Sequence, residues 1–171
     1  MEEPENNKSL MLPEEIEAIQ AIIPQKGIVL EIGTFHGVTV STWAAARPDV
    51  TFLSVDPLLW KRAGLRWYEN RRPNMRLLTG TVDDLMALRV AAIFDVVIVD
   101  GDHDYIPCYH DLESTYTLIK PGGSIAVHDY VKGRLRRTAA RAVIRATNDF
   151  CRRYRYKIAR TIGSTAFLEE I

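Results

Sequence analysis

VLEIGTFHG, residues 29 to 37, is an apolar run that stops at a glycine, turns through three residues and meets a second glycine where a helical pattern begins at Val38. A continuous run of Val, Leu and Ile marks a strand covered on both faces. Glu31, Gly33 and Gly37 read E-x-G-x-x-x-G directly before that helix. Glycines at such a turn let the backbone approach a ligand closely, and the helix start offers unpaired N–H groups to a carboxylate or phosphate. A dinucleotide fingerprint needs glycine at 33, 35 and 38, but Phe35 and Val38 hold two of those places, which disfavours a nicotinamide or flavin dinucleotide. Any strand-to-helix turn wants small residues, so the turn by itself does not establish a ligand and its surroundings decide.

Outward from this turn, apolar runs of strand length recur at Ile28 to Ile32, Val50 to Val55, Met75 to Leu78, Val96 to Val99 and Ser124 to Val127. Stretches of helix length separate them, among them Val38 to Ala46, Asp83 to Arg89 and Tyr105 to Ile119. That alternation predicts an α/β fold, a doubly wound and mostly parallel sheet with helices on both faces. Ahead of the first strand, Pro13, then Glu14 and Glu15, then Ile16, Ile19 and Ile23 predict a covering helix that Pro24 ends. Residues 1 to 24 are thus read as an acidic segment plus that helix, and 25 to 171 as the main domain. After the fifth strand a helix is expected from about Leu135 to Cys151, then strands at Tyr154 to Ala159 and Thr165 to Leu168 forming an antiparallel edge. Leu58 to Arg72 is the least readable stretch, because Gly64 and several charges interrupt any period; a helix and a lid both fit.

A chain of 171 residues suits one core, burying roughly two thirds of its unfolded surface. Lys plus Arg and Asp plus Glu number 22 each, so net charge points to neither nucleic acid nor an anionic membrane. Cys108 and Cys151 lack the spacing of a metal clip or redox pair. The polar, acidic start and the absence of an apolar stretch of ~18 to 20 residues argue against a secretory signal or membrane span, and a cytoplasmic location is expected.

Acidic groups sit where the strands end. Asp56 follows the second strand, 23 residues after Gly33, where a wound sheet places a carboxylate beside the ribose of a nucleoside; a helix N-cap is its structural alternative. FDVVIVDGDHDY delivers Asp100, Asp102, His103 and Asp104 at the end of the fourth strand. Such crowding is costly unless a cation or a proton-transfer task uses it. IKPGGSIAVHDY turns at Pro121 to Gly123 and then brings His128 and Asp129 to the same edge. Neighbouring strands would set them near Asp100, an oxygen-rich set with imidazole that suits a divalent cation.

VLEIGTFHG, LSVDP, DVVIVDGDHDY and LIKPGGSIAVHDY, in this order, resemble the class I S-adenosylmethionine-dependent methyltransferases, with their Rossmann-like sheet, over about residues 25 to 170. DGDH followed by HDY is similar to the small-molecule O-methyltransferases of the catechol and macrolide-sugar (macrocin) type and to the cephalosporin hydroxylase-like proteins. The resemblance implies S-adenosylmethionine as cofactor, its methionine part near Glu31, Gly33, Thr34, Phe35, Gly37 and Thr39, its ribose at Asp56, and its adenine beside Thr81, Val82 and Asp83, with Asp100 closing the site. It also implies magnesium or another divalent cation on Asp100 and Asp129, with His128 as a further ligand. Tyr130 stands where the catechol type carries an amide, and a phenol is a poor magnesium ligand. His103 holds the place of the catechol-type lysine base and, titrating near pH 6.5 when unperturbed, accepts a hydroxyl proton at neutral pH; His128 is second in line.

Lys132 to Arg160 carries eleven Lys and Arg against one acid, Asp149. Arg134, Arg137, Arg141, Arg145 and Arg152 share one helical face, while Ala139, Val143, Ala146 and Phe150 share the other. Such stripes are usually solvated. Arg134, Arg136 and Arg137, at the helix start, oppose its dipole and hint at an anionic small-molecule acceptor. Two other function classes fit the fold: a non-catalytic cofactor binder or accessory subunit, and a nucleic-acid methyltransferase using the basic helix. The lack of an N-P-P-Y-like tetrapeptide after the fourth strand counts against base-amine methylation. Oligomeric state, a homo-oligomer included, is open from sequence.

Overall fold

A computed structural model describes residues 9 to 58, 63 to 131 and 137 to 171, the side chains of residues 137 and 138 excepted. The expected acidic start at residues 1 to 8, residues 59 to 62, and Arg134 and Arg136 lie outside the described residues.

The chain runs α1 (Pro13–Ile22), β1 (Gly27–Ile32), α2 (Val38–Ala46), β2 (Val50–Asp56), α3 (Ala63–Asn70), β3 (Met75–Thr79), α4 (Val82–Ala87), β4 (Phe94–Val99), α5 (Tyr105–Leu118), β5 (Ile119–Val127), α6 (Arg137–Tyr154), β6 (Tyr156–Ile162) and β7 (Thr165–Glu170). The seven strands lie in the order β3-β2-β1-β4-β5-β7-β6. β1 to β5 pair in parallel, and β7 inserts antiparallel to both β5 and β6.

Alternation along each strand feeds two cores, one per face of the sheet. Val29, Val96 and Ile98 join Ile19, Val40, Trp43 and Trp67 from α1 to α3 on one side. Leu30, Val97 and Val99 join Leu85, Leu112 and Phe150 from α4 to α6 on the other. Buried apolar side chains of this size each contribute about 1.5 to 3 kcal/mol, which is why the expected runs became strands. α1 is tied to α2 by the Trp43 indole N–H, which donates to the Ile16 carbonyl at 3.0 Å.

Several details differ from the sequence reading; α6 runs on to Tyr154, which was expected to open a strand, and β6 begins at Tyr156. The Pro121 to Gly123 turn lies inside β5: the ladder pairs Phe94 with Ile119 and then Val96 with Ser124, so the turn survives as a bulge. Within the ambiguous stretch, residues 63 to 70 form a helix because Ala63 and Trp67, one turn apart, both have apolar partners to bury against. α6 carries its stripe as expected, with Val143, Ala146 and Phe150 buried and Arg141 and Arg145 exposed. Among the described residues no helix is long and apolar enough to cross a membrane.

Candidate functional site

Single hydrogen bonds carry the ladders one residue past the strands and line up the side chains at the carboxyl edge. Gly33 N–H donates to Val55 O (2.9 Å), Gly80 N–H to Asp56 O (3.0 Å), Asp100 N–H to Ile32 O (2.9 Å) and His128 N–H to Val99 O (3.0 Å). Strand order reverses between β1 and β4, the point at which wound sheets open a ligand crevice. Gly33 and Asp100 flank it.

The glycine loop is built for close approach. Gly33 has φ +86°, and a Cβ there would lie 2.3 Å from the Asp100 carbonyl oxygen. Gly37, at φ +71°, caps α2, where a Cβ would meet the Trp67 ring at 2.7 Å. Asp56 ends β2. Its Oδ2 accepts the N–H groups of Thr34 (2.9 Å) and Phe35 (2.8 Å), and its Oδ1 accepts that of Leu58 (2.6 Å), so the carboxylate shapes the loop. Carboxylate oxygens have further lone pairs for ribose hydroxyls. The Thr34 hydroxyl is buried beside the Glu31 carboxyl. These features fit a nucleoside with an amino-acid tail.

The other expected cofactor residues occupy the same edge with local partners. Thr39 Oγ1 lies 2.6 Å from Ser9 Oγ. Thr81 is the N-cap of α4, its N–H donating to Asp84 Oδ2 at 2.8 Å. Val82 is buried, and Asp83 Oδ1 meets His110 Nε2 at 2.7 Å.

Glu31 is buried beneath the loop, accepting the Ser54 hydroxyl at 2.9 Å. Burial, with the Asp100 and Asp56 carboxylates adding to it, pushes its carboxyl up to about 8, so it is protonated at neutral pH. A group whose pKa is raised on folding contributes stability that is complete below its unfolded value near 4.5 and is lost as pH climbs through about 8. In ligand-free protein, Glu31→Gln is therefore expected to flatten the fall in unfolding free energy between about pH 4.5 and 8, a gain on the order of a few kcal/mol at pH 9. Denaturant melts at pH 6 and 9 check this; parallel curves for both proteins refute it.

The segments after β4 and β5 bring four groups together, Asp100, His103, His128 and Asp129. His103 Nε2 lies 2.9 Å from Asp129 Oδ2, and His128 Nδ1 lies 2.9 Å from Asp100 Oδ1 and 3.3 Å from Asp129 Oδ2. Asp129 is held at φ +57°, a left-handed backbone that non-glycine residues adopt chiefly where surrounding structure imposes it. Burial opposes charge on His128, but Asp100 and Asp129 overcome it and push the ring up to about 11, so it is an imidazolium. Asp129, although burial works against it, is driven well below the usual carboxylate range by its bonds to His103 and His128. His103 is raised above 6.5, chiefly by its bond to Asp129.

Among the described residues, the ligand atoms of Asp100, His103 and Asp129 come within 4.8 Å of one another. His128, the imidazole expected in a cation set, faces Asp100 and, through Nε2 at 3.4 Å, Glu15. Three carboxylates around one fixed imidazolium leave negative charge for a further cation, and the raised His103 is a symptom of it. Two carboxylates and an imidazole form a donor set that fits manganese or iron better than magnesium.

Along α6, Arg141, Ile144, Arg145, Asn148, Asp149 and Arg152 line a groove of about 490 Å³. Arg145 lies over the Tyr105 ring at 4.5 Å. The Tyr105 hydroxyl donates to Asp149 Oδ2 (2.9 Å), and the Tyr130 hydroxyl to Asn148 Oδ1 (3.1 Å). Tyr105 and Tyr130 follow the DGDHD and HD motifs, so these two hydroxyls tie α6 to the segments that carry the cluster.

Sequence reasoning missed Glu15 and Ser164, which meet His128 from α1 and from the β6–β7 turn. No local pattern marks either one. Glu15 reads as an ordinary first-turn acid, and its partners are 113 and 149 residues away.

A family model described as a methyltransferase domain matches residues 30–130. Catechol O-methyltransferase domain-containing protein 1 of Mus musculus is 33% identical over 110 residues, 57% of this chain and 40% of its own length. The chain thus spans well under half of that relative. An SAH-bound methyltransferase of Podospora anserina is similar in fold at TM-score 0.70 and 12% identity, over 91% of this chain and 76% of that one. A Staphylococcus aureus protein described as a caffeoyl-CoA O-methyltransferase is similar at TM-score 0.69 and 14% identity, over 90% and 81%. At such identities the likeness to the two structures is one of fold.

Proposed function

This chain belongs to the methyltransferase-domain family matched over residues 30–130, and from that premise we propose that it transfers a methyl group from S-adenosylmethionine to a hydroxyl of a small molecule. The observation that carries the reading is the gathering of Asp100, His103 and Asp129 across the crevice from the Gly33 loop.

The sulfonium of the bound cofactor supplies an already activated methyl group, so the protein's tasks are to align the acceptor oxygen and receive its proton. In neutral His103 the Nε2–H donates to Asp129, which fixes the ring and leaves Nδ1 as the basic nitrogen. The His103 side chain is one third exposed (34%), open enough for an acceptor to reach. Asp56 and the glycine loop hold the nucleoside. Asp100, tied through Oδ1 to His128, borders both halves.

The 4.8 Å cluster supports an alternative to the free base: with a divalent cation on Asp100, Asp129 and His103, the cation in place of the His103 ring would lower the acceptor's pKa and orient it. Calorimetric titration with S-adenosylhomocysteine, with and without manganese or magnesium, tests both. Micromolar binding is expected, and no heat up to millimolar ligand ends the proposal; manganese heat that vanishes in Asp129→Asn identifies the cation site.

The acceptor is read as small and anionic, because the α6 groove carries three arginines against Asp149 and Tyr105 and Tyr130 tie that helix to the segments bearing the cluster. Arg141→Glu with Arg145→Glu is expected to raise KM for such an acceptor at least ~10-fold, the scale of lost charge-assisted bonds, with S-adenosylhomocysteine affinity unchanged. Equal KM values exclude the groove from acceptor binding.

A further inference from the structure

We infer that Glu15, on the helix that precedes the first strand, is a positioning residue for the reaction centre, acting through His128 to hold the carboxylate of Asp100 in place. The inference rests on the methyltransferase reading for what Asp100 does, but not for the contact network itself.

Glu15 is 1% exposed. Its Oε2 accepts the Leu12 N–H at 2.6 Å, the ordinary duty of an acid at the third position of a helix, and also lies 3.4 Å from His128 Nε2. Its Oε1 accepts both the backbone N–H of Ser164 and the Ser164 hydroxyl, the latter at 2.7 Å. The approach depends on Gly163, where φ is +57° and a Cβ would stand 2.5 Å from Glu15 Oε1. The Ser164 carbonyl then accepts the Tyr130 N–H at 2.8 Å, closing a ring through α1, the β6–β7 turn and the end of β5.

A helix cap does not require this arrangement. Capping uses one oxygen, and a surface acid or a glutamine supplies it; burying a carboxylate costs several kcal/mol unless it is paired. The pairing here is with the ring whose opposite nitrogen holds Asp100 Oδ1 at 2.9 Å. An imidazole gripped at one nitrogen only can turn about its side-chain torsions. Gripped at both, it fixes the Asp100 rotamer and leaves the other Asp100 oxygen, which has no partner among the described residues, for the crevice. Without Glu15, the Nε2 edge retains only Ser164 Oγ at 3.3 Å.

The test compares wild type, Glu15→Gln and Ser164→Ala by nitrogen-15 spectroscopy of the histidine rings at pH 8 and by titration with S-adenosylhomocysteine. In wild type the His128 Nε2 proton, held between Glu15 and Ser164, is expected to be protected from exchange; a freely exchanging proton there overturns the inference with no variant needed. In folded Glu15→Gln the Nε2 proton is expected to exchange at least ~10-fold faster and cofactor-product affinity to fall about 3- to 10-fold. Ser164→Ala, which loosens the turn but keeps the carboxylate, is expected to change both by less than about twofold. Unchanged ring exchange in Glu15→Gln, or losses in Ser164→Ala as large as those in Glu15→Gln, reduces Glu15 to a structural tie and refutes the assignment. Should wild type bind no S-adenosylhomocysteine while the ring behaviour follows expectation, the methyltransferase reading fails and the Glu15 clamp stands.

Discussion

Replacing His103 by alanine is expected to lower turnover by ~10² to 10⁴, the usual range for loss of a general base, with S-adenosylhomocysteine affinity changed by less than about twofold. His103 works as a base only when neutral, and Asp129 holds its pKa above 6.5. Turnover of the wild type should therefore rise as pH climbs through that raised value. Asp129→Asn removes the cause, so its acidic limb should move to lower pH, with the maximum rate reduced by the loss of ring orientation. The measurement is a pH profile of kcat/KM for any acceptor that the wild type methylates. A His103→Ala enzyme of undiminished rate, or an acidic limb that ignores position 129, removes His103 from the chemistry.

The second large effect is expected from a single methyl group. Gly33→Ala places a Cβ 2.3 Å from the Asp100 carbonyl oxygen and 2.6 Å from Gly101 Cα, in a backbone at φ +86°. The left-handed conformation costs about 1 to 3 kcal/mol for alanine, and the overlap, which only backbone movement relieves, about 1 to 3 more. The melting temperature should drop by about 5 to 20 °C at ~2 to 4 °C per kcal/mol. Binding should fall further than stability, since the shift opens β1 from β4 at the crevice itself. Thermal melts and calorimetry on the same sample separate the two; a variant that melts and binds like the wild type shows that the loop has another conformation.

The sheet was legible because continuous Val, Ile and Leu runs separated by helix-length stretches permit few other arrangements, and the C-terminal pair followed from two apolar runs around Gly163. β5 was read too short. Pro121 and two glycines mark a turn correctly, yet nothing local shows that a neighbouring strand will bridge it as a bulge. Residues 63 to 70 were ambiguous because Gly64 weakens helical propensity, whereas burial of Ala63 and Trp67 is a tertiary effect. In the site, the strand ends delivered Asp100, His103 and Asp129 together as the topology required. The orientation of His128 was hidden, because it depends on Glu15, whose partners are separated from it by more than a hundred residues. Asp56 shows the same limit: its place at the edge followed from spacing, but its grip on the Thr34 and Phe35 amides did not.

β7 follows all other strands in sequence yet lies between β5 and β6 in the sheet. Emerging from a ribosome, β1 to β5 can assemble as a parallel unit, but the outer flank of β5 keeps its amides and carbonyls unmatched until β7 arrives to fill the gap. Such a raw flank invites strands from other nascent chains. Synthesis stalled between α6 and β7 should thus yield aggregates or chaperone-held intermediates in place of a trimmed but folded domain.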